Sequence, residues 1–269
     1  MIIHSSYTII HSKQNIISKF SLICLIFFRF NEHSKTKLYG TIQSMNVVVG
    51  DSRAKALIRH KHLGGIVDIW AKPGARFKDM GSMVNEHYFL HHGGQPLYDD
   101  CTHYYILGGI CEVAQKLKSN KDKYEEVICS ETPNQIVERI KHSILELHTQ
   151  IKDLGAVPIF STICPMNLIQ WNMLRHAQNK TTRLEFTKHY DEMQTSLNES
   201  ITLINEFIIN LNTSSKVKTP MTHRCVQHNR KNGKKNWRLY KLSDGCHFSK
   251  GLSDEIAMSL KHAITLNRQ

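Results

Sequence analysis

Short apolar runs alternate with longer stretches of helical spacing from residue 46 to the C-terminus. Three consecutive valines after Asn46 end at Gly50, and such a β-branched run predicts a short buried strand. Asp51 and Ser52 follow it with side chains that helix N-caps prefer, and a helical pattern begins there. Further strands are predicted at 66–70, 103–107, 157–163 and 237–242.

Helical spacing fills the intervals between these strands, at 77–90, 184–211 and 251–264. The clearest helix begins at Thr132-Pro133 and ends near Gly155, with apolar residues at positions 136, 137, 140, 144, 147, 151 and 154. Strands that alternate with helices predict an α/β fold, with a parallel sheet covered on both faces. Because no repeat or low-complexity linker interrupts residues 45–269, one domain is expected there.

Residues 1–44 differ from this domain and are expected to be an extension. The run 21–30 is mostly apolar, with Lys13 and Lys19 upstream, as in a signal-peptide core or a short anchor. It is about half of the roughly 20 residues that a membrane span needs, and no small-residue cleavage pattern follows it. The extension is therefore predicted to be disordered, with a weak signal or anchor as the alternative. An intracellular location is favoured over a secreted or anchored one.

Four polar or glycine-containing stretches follow predicted strands and should meet at one edge of the sheet. They contain Ser52, Gly74, the segment 108–112, and Asp244 with His247. An Asp three residues before a His can orient the imidazole while the His accepts a serine proton. The backbone N–H of a glycine can approach an oxyanion because no side chain blocks it. The alternative for Ser52 is a helix cap without a catalytic role.

These stretches resemble the sequence blocks of the SGNH or GDSL hydrolases. Gly50-Asp51-Ser52 resembles the first block, which carries the nucleophilic serine, and Gly74 matches the glycine of the second block. Asp244 and His247 match the final Asp-x-x-His block. The resemblance implies a flavodoxin-like α/β/α sandwich with five parallel strands. It also implies hydrolysis of a small-molecule or carbohydrate ester by a Ser52–His247–Asp244 triad, without metal or cofactor.

The third block departs from the family pattern, which reads Gly-x-Asn-Asp. Alignment on Gly109 puts Cys111 at the Asn position, where the family has a third oxyanion donor beside the N–H groups of Ser52 and Gly74. A thiol is a weak hydrogen-bond donor, so the resemblance implies either slow hydrolysis or a pocket that binds without turnover. Glu112 takes the position of the family's Asp.

Charge and cysteine content add an alternative to catalysis. The formal net charge is +12, and nine Lys or Arg residues but no acidic residue lie in 216–241. This basic segment is predicted either to be a solvated loop or to contact nucleic acid or another polyanion, which would suit a non-catalytic binding module. Seven cysteines without a CxxC pair indicate reduced thiols rather than a disulfide framework.

Two histidine groups have partial metal-ligand spacing, and no metal site is predicted at either. One consists of His87, His91 and His92, and the other is His223-x-Cys225-x-x-His228 with Cys246 nearby in sequence. The first has no carboxylate-rich companion motif, and Cys246 of the second lies inside the proposed catalytic turn.

Overall fold

The computed structural model of the chain describes residues 45–92, 102–118, 125–179, 189–229 and 235–268. The extension at 1–44 lies outside these residues, and so does the start of the helix predicted at 184. Four strands form the central sheet: β1 (Met45–Gly50), β2 (Asp68–Ala71), β3 (Thr102–Leu107) and β6 (Val157–Phe160). Their order is β2-β1-β3-β6, and all three pairings are parallel.

Alternate residues of each central strand pack into two separate cores. Val47, Val49 and Tyr104 lie in one hydrophobic cluster, whereas Val48 and Tyr105 lie in the other. Because successive side chains of a strand point to opposite faces, a run that is apolar throughout must be covered on both sides. This confirms the sequence-based prediction of a doubly covered parallel sheet.

Helices supply both covers of this sheet. The first core contains apolar residues from α2 (Phe77–His92), α4 (Pro133–Asp153) and α6 (Tyr190–Ser214). The second contains residues from α1 (Ser52–Lys55) and α7 (Lys250–Asn267). Helix α4 begins after Thr132, as predicted, where Thr132 and Gln135 form a capping box, and it buries the predicted stripe from Ile136 to Ile151. No helix within the described residues is long and apolar enough to cross a membrane.

The prediction of a fifth strand at 237–242 is wrong, because this segment does not join the central sheet. Instead, β8 (Lys235–Trp237) pairs with β7 (Gln227–Asn229) in an antiparallel hairpin, and Leu239–Lys241 forms a 3-10 turn. The outer edge of β6 is covered by other groups. The Thr162 N–H, just beyond the strand, donates to the carbonyl of Pro220 at 3.1 Å, and a 3-10 turn at Thr222–Cys225 follows directly.

An asparagine side chain also takes the place of the missing strand. The Asn212 amide accepts from the Phe160 N–H at 3.2 Å and donates to the Phe160 carbonyl at 2.7 Å. Asn205, two turns earlier on α6, forms the same pair of bonds with Ile163 at 2.6 and 3.0 Å. Proline lacks the N–H that a ladder requires, so the chain at Pro220 cannot continue as a strand. The sheet therefore has four parallel strands in the described residues.

Four elements between residues 110 and 179 were not predicted from the sequence. Strands β4 (Gln115–Lys118) and β5 (Glu125–Ile128) form an antiparallel hairpin, and α5 (Leu168–Asn179) follows β6. The short helix α3 (Ile110–Val113) leads into this hairpin. Asn172 of α5 binds both backbone polar groups of Val127, at 2.9 and 2.7 Å, and thereby joins α5 to β5. These elements form walls of the cavity described below.

Candidate active site

Ser52 is the first residue of helix α1, directly after the turn that ends β1. The turn requires glycine at position 50, because a Cβ atom there would lie 2.1 Å from the Leu107 carbonyl oxygen. Asp51 caps the helix, since its Oδ1 atom accepts from the Arg53 N–H at 2.8 Å. The sequence thus folds Ser52 onto the carboxyl edge of the sheet, as predicted.

A continuous chain of hydrogen bonds joins Ser52 to His247 and Asp244. The Ser52 Oγ atom lies 3.0 Å from His247 Nε2, and His247 Nδ1 lies 2.6 Å from Asp244 Oδ2. The first distance falls in the range expected for a nucleophile and its base, although 195 positions separate the residues. The structure therefore brings together the three residues predicted as a triad. Their catalytic role stays a prediction.

Asp244 is held as an ionised acceptor. Burial alone would raise the pKa of Asp244, but hydrogen bonds from the His247 ring and from the N–H groups of His247 and Cys246 outweigh it and lower the pKa. An ionised carboxylate can only accept, so the hydrogen between it and His247 belongs to Nδ1. The Nε2 lone pair of a neutral imidazole then faces Ser52 Oγ. This is the arrangement that general-base catalysis requires.

The loop that carries His247 is fixed by a glycine against α5. Gly245 has a φ of +86°, and a Cβ atom there would lie 2.7 Å from the Asn167 carbonyl oxygen. The Gly245 carbonyl accepts from the Asn167 N–H at 2.6 Å. Both the positive φ and the close approach favour glycine at this position. The position of His247 thus depends on contacts between the loop and the start of α5.

Solved structures with this arrangement of strands and helices were found by comparison. A proposed acylhydrolase from Bacteroides fragilis is 12% identical, with a TM-score of 0.54, over 84% of this chain and 88% of that one. A GDSL-like lipase from Bacteroides thetaiotaomicron is 12% identical, with a TM-score of 0.51, over 83% and 88% of the two chains. The chain has the SGNH hydrolase fold. No protein-family model and no curated protein sequence matches it.

The elements of this SGNH fold enclose a cavity of about 390 Å³ beside the triad. Ser52, Gly74, Cys111 and His247 all line it. Gly74 has a φ of +75°, which favours glycine, and no atom would contact a Cβ placed there. The structure therefore brings all three predicted oxyanion-hole residues to one cavity. Their function as donors to an oxyanion stays a prediction.

Glu112 connects the second and third SGNH blocks. Its Oε1 atom accepts from the Phe77 N–H at 2.9 Å, at the start of α2, and so lies at the end of the Gly74 loop. The Arg139 guanidinium donates to the Glu112 carbonyl at 2.9 Å. Glu112 is 9% exposed, and its bonds join the Gly74 loop to α3, where Cys111 lies. The carboxylate thus has a positioning role that the alignment with the family's Asp did not specify.

The structural role of Arg53 was not predicted from the sequence. This side chain is only 3% exposed and donates to three carbonyls: Cys246 at 3.0 Å, Cys164 at 2.5 Å and Pro165 at 2.9 Å. Arg53 therefore joins the Ser52 turn to the His247 loop and to the segment after β6. The signal was present in the sequence, since a charged residue follows Ser52 where the family has an apolar one.

Asp51 is the acidic counterpart of Arg53 in this buried region. It has no exposed surface, and burial raises its pKa, while the positive charge of Arg53 works in the opposite direction. A buried charge is tolerated only when it is paired and hydrogen-bonded. Arg53 therefore favours the ionised form of Asp51 through its charge, whereas its guanidinium hydrogen bonds go to backbone carbonyls.

The histidine groups with metal-ligand spacing lie in different surroundings. Ligand atoms of Asp68, His87 and His91 lie within 4.8 Å of one another, and His87 Nδ1 lies 2.8 Å from the Tyr104 hydroxyl. Asp68 begins β2, so this cluster lies at the opposite edge of the sheet from Ser52. His223 and His228 line a separate cavity with Trp237. None of these four histidines lines the cavity beside Ser52, whereas Cys246 of the second group does.

Proposed function

We propose that this protein is a serine esterase or acyl hydrolase of the SGNH type. The observation that carries the proposal is the chain of hydrogen bonds from Ser52 Oγ through His247 to Asp244, at 3.0 and 2.6 Å. Similarity to structures of a lipase and a proposed acylhydrolase supports the same chemistry at the level of the fold.

In the proposed reaction, His247 Nε2 accepts the Ser52 proton while Oγ attacks the ester carbonyl carbon. The N–H groups of Ser52 and Gly74 stabilise the negative charge on the carbonyl oxygen. His247 then protonates the departing alcohol, which leaves an acyl group on Ser52. Water activated by the same imidazole releases the acid and restores the serine. Asp244 holds the imidazole tautomer and stabilises its protonated form in each step.

Cys111 limits the proposed rate. The SGNH pattern has an Asn donor at this position, and loss of one oxyanion donor typically costs about 10²–10³ in kcat. A thiol donates only weakly, so two backbone N–H groups carry most of the stabilisation. The proposed enzyme is therefore slow compared with an esterase that has all three donors.

Hydrolysis of 4-nitrophenyl acetate by purified protein tests the proposal. Ser52→Ala and Asp244→Asn should each lower kcat by about 10⁴ or more, as loss of a triad member does in serine proteases. The matched control is Ser82→Ala, which removes an exposed serine from α2. Equal rates for wild type, Ser52→Ala and Ser82→Ala would contradict the proposal.

A second candidate function is a non-catalytic binding module that uses the basic segment. A cavity of about 500 Å³ is lined by Arg224, His228 and Trp237 of this segment, and by Glu206 of α6. An aromatic ring beside cationic side chains suits a base and its phosphate. Lys241 contributes less to such a surface, because its Nζ atom binds the Glu255 carboxylate at 2.6 and 2.8 Å.

A further inference from the structure

The described lining of the cavity beside Ser52 includes cationic side chains and no acidic ones. Arg76 and Arg175 line it together with Trp171 and His247, and none of the described lining residues is Asp or Glu. Both arginines are exposed, so their guanidinium groups are accessible to a ligand. A cleft lined by one sign of charge concentrates ligands of the opposite sign.

Arg175 is held in place by an aromatic side chain. Its guanidinium carbon lies 4.7 Å from the centre of the Trp171 ring, and that ring lies 5.5 Å from the His247 ring. Within the described parts of the chain, no carboxylate forms an ion pair with Arg175. Trp171 therefore connects the candidate base to an arginine that forms no ion pair with any described residue.

Arg76 adds a second positive charge on the Gly74 loop. The acidic residue beside it is Asp79, which accepts from the Arg76 backbone N–H at 3.0 Å and from Lys72 Nζ at 3.2 Å. Asp79 binds Lys72, and Arg76 also lines a second cavity with Glu112, Glu146 and Asp153, so its positive charge is partly offset. Arg175 is the stronger candidate for binding an anion, because it has no such neighbour among the described residues.

The order of these side chains indicates which part of an ester would meet Arg175. In ester hydrolysis, His247 protonates the departing alcohol oxygen, so the alcohol portion must lie on the His247 side of Ser52. Trp171 lies next to the His247 ring, Arg175 lies against Trp171, and all three line the same cavity as Ser52. An anionic group on the alcohol portion could therefore reach the guanidinium while the ester carbonyl lies at Ser52.

We propose that the substrates are esters of an alcohol that carries a carboxylate or phosphate group, bound by Arg175 and assisted by Arg76. This inference rests on the proposed function. The acyl group is transferred to Ser52 and then to water, and the anionic alcohol leaves with the proton from His247. Trp171 provides an apolar surface for the body of the alcohol, and a charge-assisted hydrogen bond to the guanidinium fixes its anionic end.

A pair of acetyl esters that differ only in charge tests the inference. The pair is 4-acetoxybenzoate, with a carboxylate on the alcohol portion, and the neutral 4-acetoxybenzamide, each normalised to its hydrolysis by hydroxide. We expect kcat/KM to be about ten- to hundredfold higher for the carboxylate ester than for the amide. A hydrogen bond between a charged carboxylate and the Arg175 guanidinium stabilises a complex by an amount of this size. Arg175→Gln should remove most of this preference, whereas Arg175→Lys should retain part of it. The control is Lys261→Gln, which removes an exposed positive charge from α7.

Each outcome of this experiment supports or overturns the inference. Replacement of the carboxylate by phosphate, in 4-acetoxyphenyl phosphate, shows which anion is preferred. Equal hydrolysis of the charged and neutral esters, with Ser52 still required, would overturn the inference and leave the esterase proposal intact. A preference that survives in Arg175→Gln would overturn the role of Arg175. Failure to hydrolyse any of these esters or 4-nitrophenyl acetate would overturn both proposals.

Discussion

Arg53 joins the three segments that meet beneath the proposed nucleophile. Its guanidinium binds carbonyls of Cys164, Pro165 and Cys246, and its charge opposes the rise that burial causes in the pKa of Asp51. Each of these carbonyls would lose a partner if the side chain were shortened, and an unsatisfied buried polar group costs about 1–3 kcal/mol. The residue therefore affects both the stability of the domain and the position of the His247 loop.

Arg53→Leu should lower the free energy of unfolding by at least about 3 kcal/mol, because three buried carbonyls lose their donor. Urea denaturation followed by circular dichroism measures this change. The matched control is Lys55→Leu, which removes a positive charge from the exposed side of the same helix. Equal stabilities for these two variants would show that Arg53 does not support the site.

Cys111→Asn should raise hydrolysis of a short activated ester by at least about tenfold, or roughly 1.4 kcal/mol. The reason is that Cys111 lines the cavity with Ser52, where an amide would supply the missing oxyanion donor. The rate should be measured with and without Ser52→Ala in both backgrounds, which separates serine from thiol chemistry. If a correctly folded variant shows no gain, Cys111 does not correspond to the family's Asn.

At the scale of the elements, helix α6 completes the sheet that it packs on. Asn205 and Asn212 bind backbone groups of Ile163 and Phe160, where a fifth strand would otherwise form a ladder. Phe160 is the last residue of β6, and the segment after β6 carries carbonyls that Arg53 binds. The edge of the sheet and the candidate site are thus connected through this segment.

Asn212→Ala should destabilise the domain by about 2–5 kcal/mol, because both backbone groups of Phe160 lose a buried partner. The midpoint of thermal or urea unfolding measures the change. Asn210→Ala, at an exposed position of the same helix, serves as the control and should have little effect. A similar small effect for both variants would mean that other groups satisfy the edge of β6.

The central strands and most covering helices could be predicted because their apolar patterns are local. Val47 to Val49 and the stripe of α4 carry the signal in their own sequence. The segment 237–242 has a similar apolar pattern, but whether it pairs with β6 depends on Pro220 and Asn212, which are distant in sequence. The local pattern of apolar residues does not show which part of the chain will bind the edge of β6.

The residues of the candidate site also differ in whether the sequence alone could predict their roles. Ser52, Asp244 and His247 could be predicted because each stands in a short motif at the end of an element. The sequence marks Arg53 as unusual for its position, but its acceptors could not be predicted, since they lie 111, 112 and 193 positions away. Trp171 and Arg175 were missed because α5 itself was not predicted, and their relation to His247 exists only in the folded chain.

At the scale of the whole molecule, positive charge is concentrated in the basic segment 216–241 as well as in the active-site cavity. Five of the nine cations of that segment, at positions 216, 218, 224, 238 and 241, have described side chains. Of these, Lys216, Lys218 and Arg224 are exposed. An exposed cluster of this kind can attract a polyanion even if catalysis takes place elsewhere.

If the basic segment binds nucleic acid, the affinity for a single-stranded oligonucleotide should fall steeply with salt. Three phosphate contacts predict a loss of about twentyfold between 50 and 200 mM salt, because bound counterions are released. Replacement of Lys216, Lys218 and Arg224 by glutamine should weaken binding, whereas glutamine at Lys55, Lys61 and Lys261 should not. Fluorescence anisotropy measures both effects, and no binding at 50 mM salt would indicate a solvated segment.

The central claim is that Ser52 is a nucleophile activated by His247, and covalent labelling tests it most directly. Purified protein is treated with a fluorophosphonate, and the modified residue is mapped by mass spectrometry, with Ser52→Ala and His247→Ala compared under the same conditions. The account predicts one adduct on Ser52 in the wild type, none in Ser52→Ala, and much slower labelling in His247→Ala. A folded wild-type protein that is not labelled, or is labelled equally well without Ser52, would contradict the account.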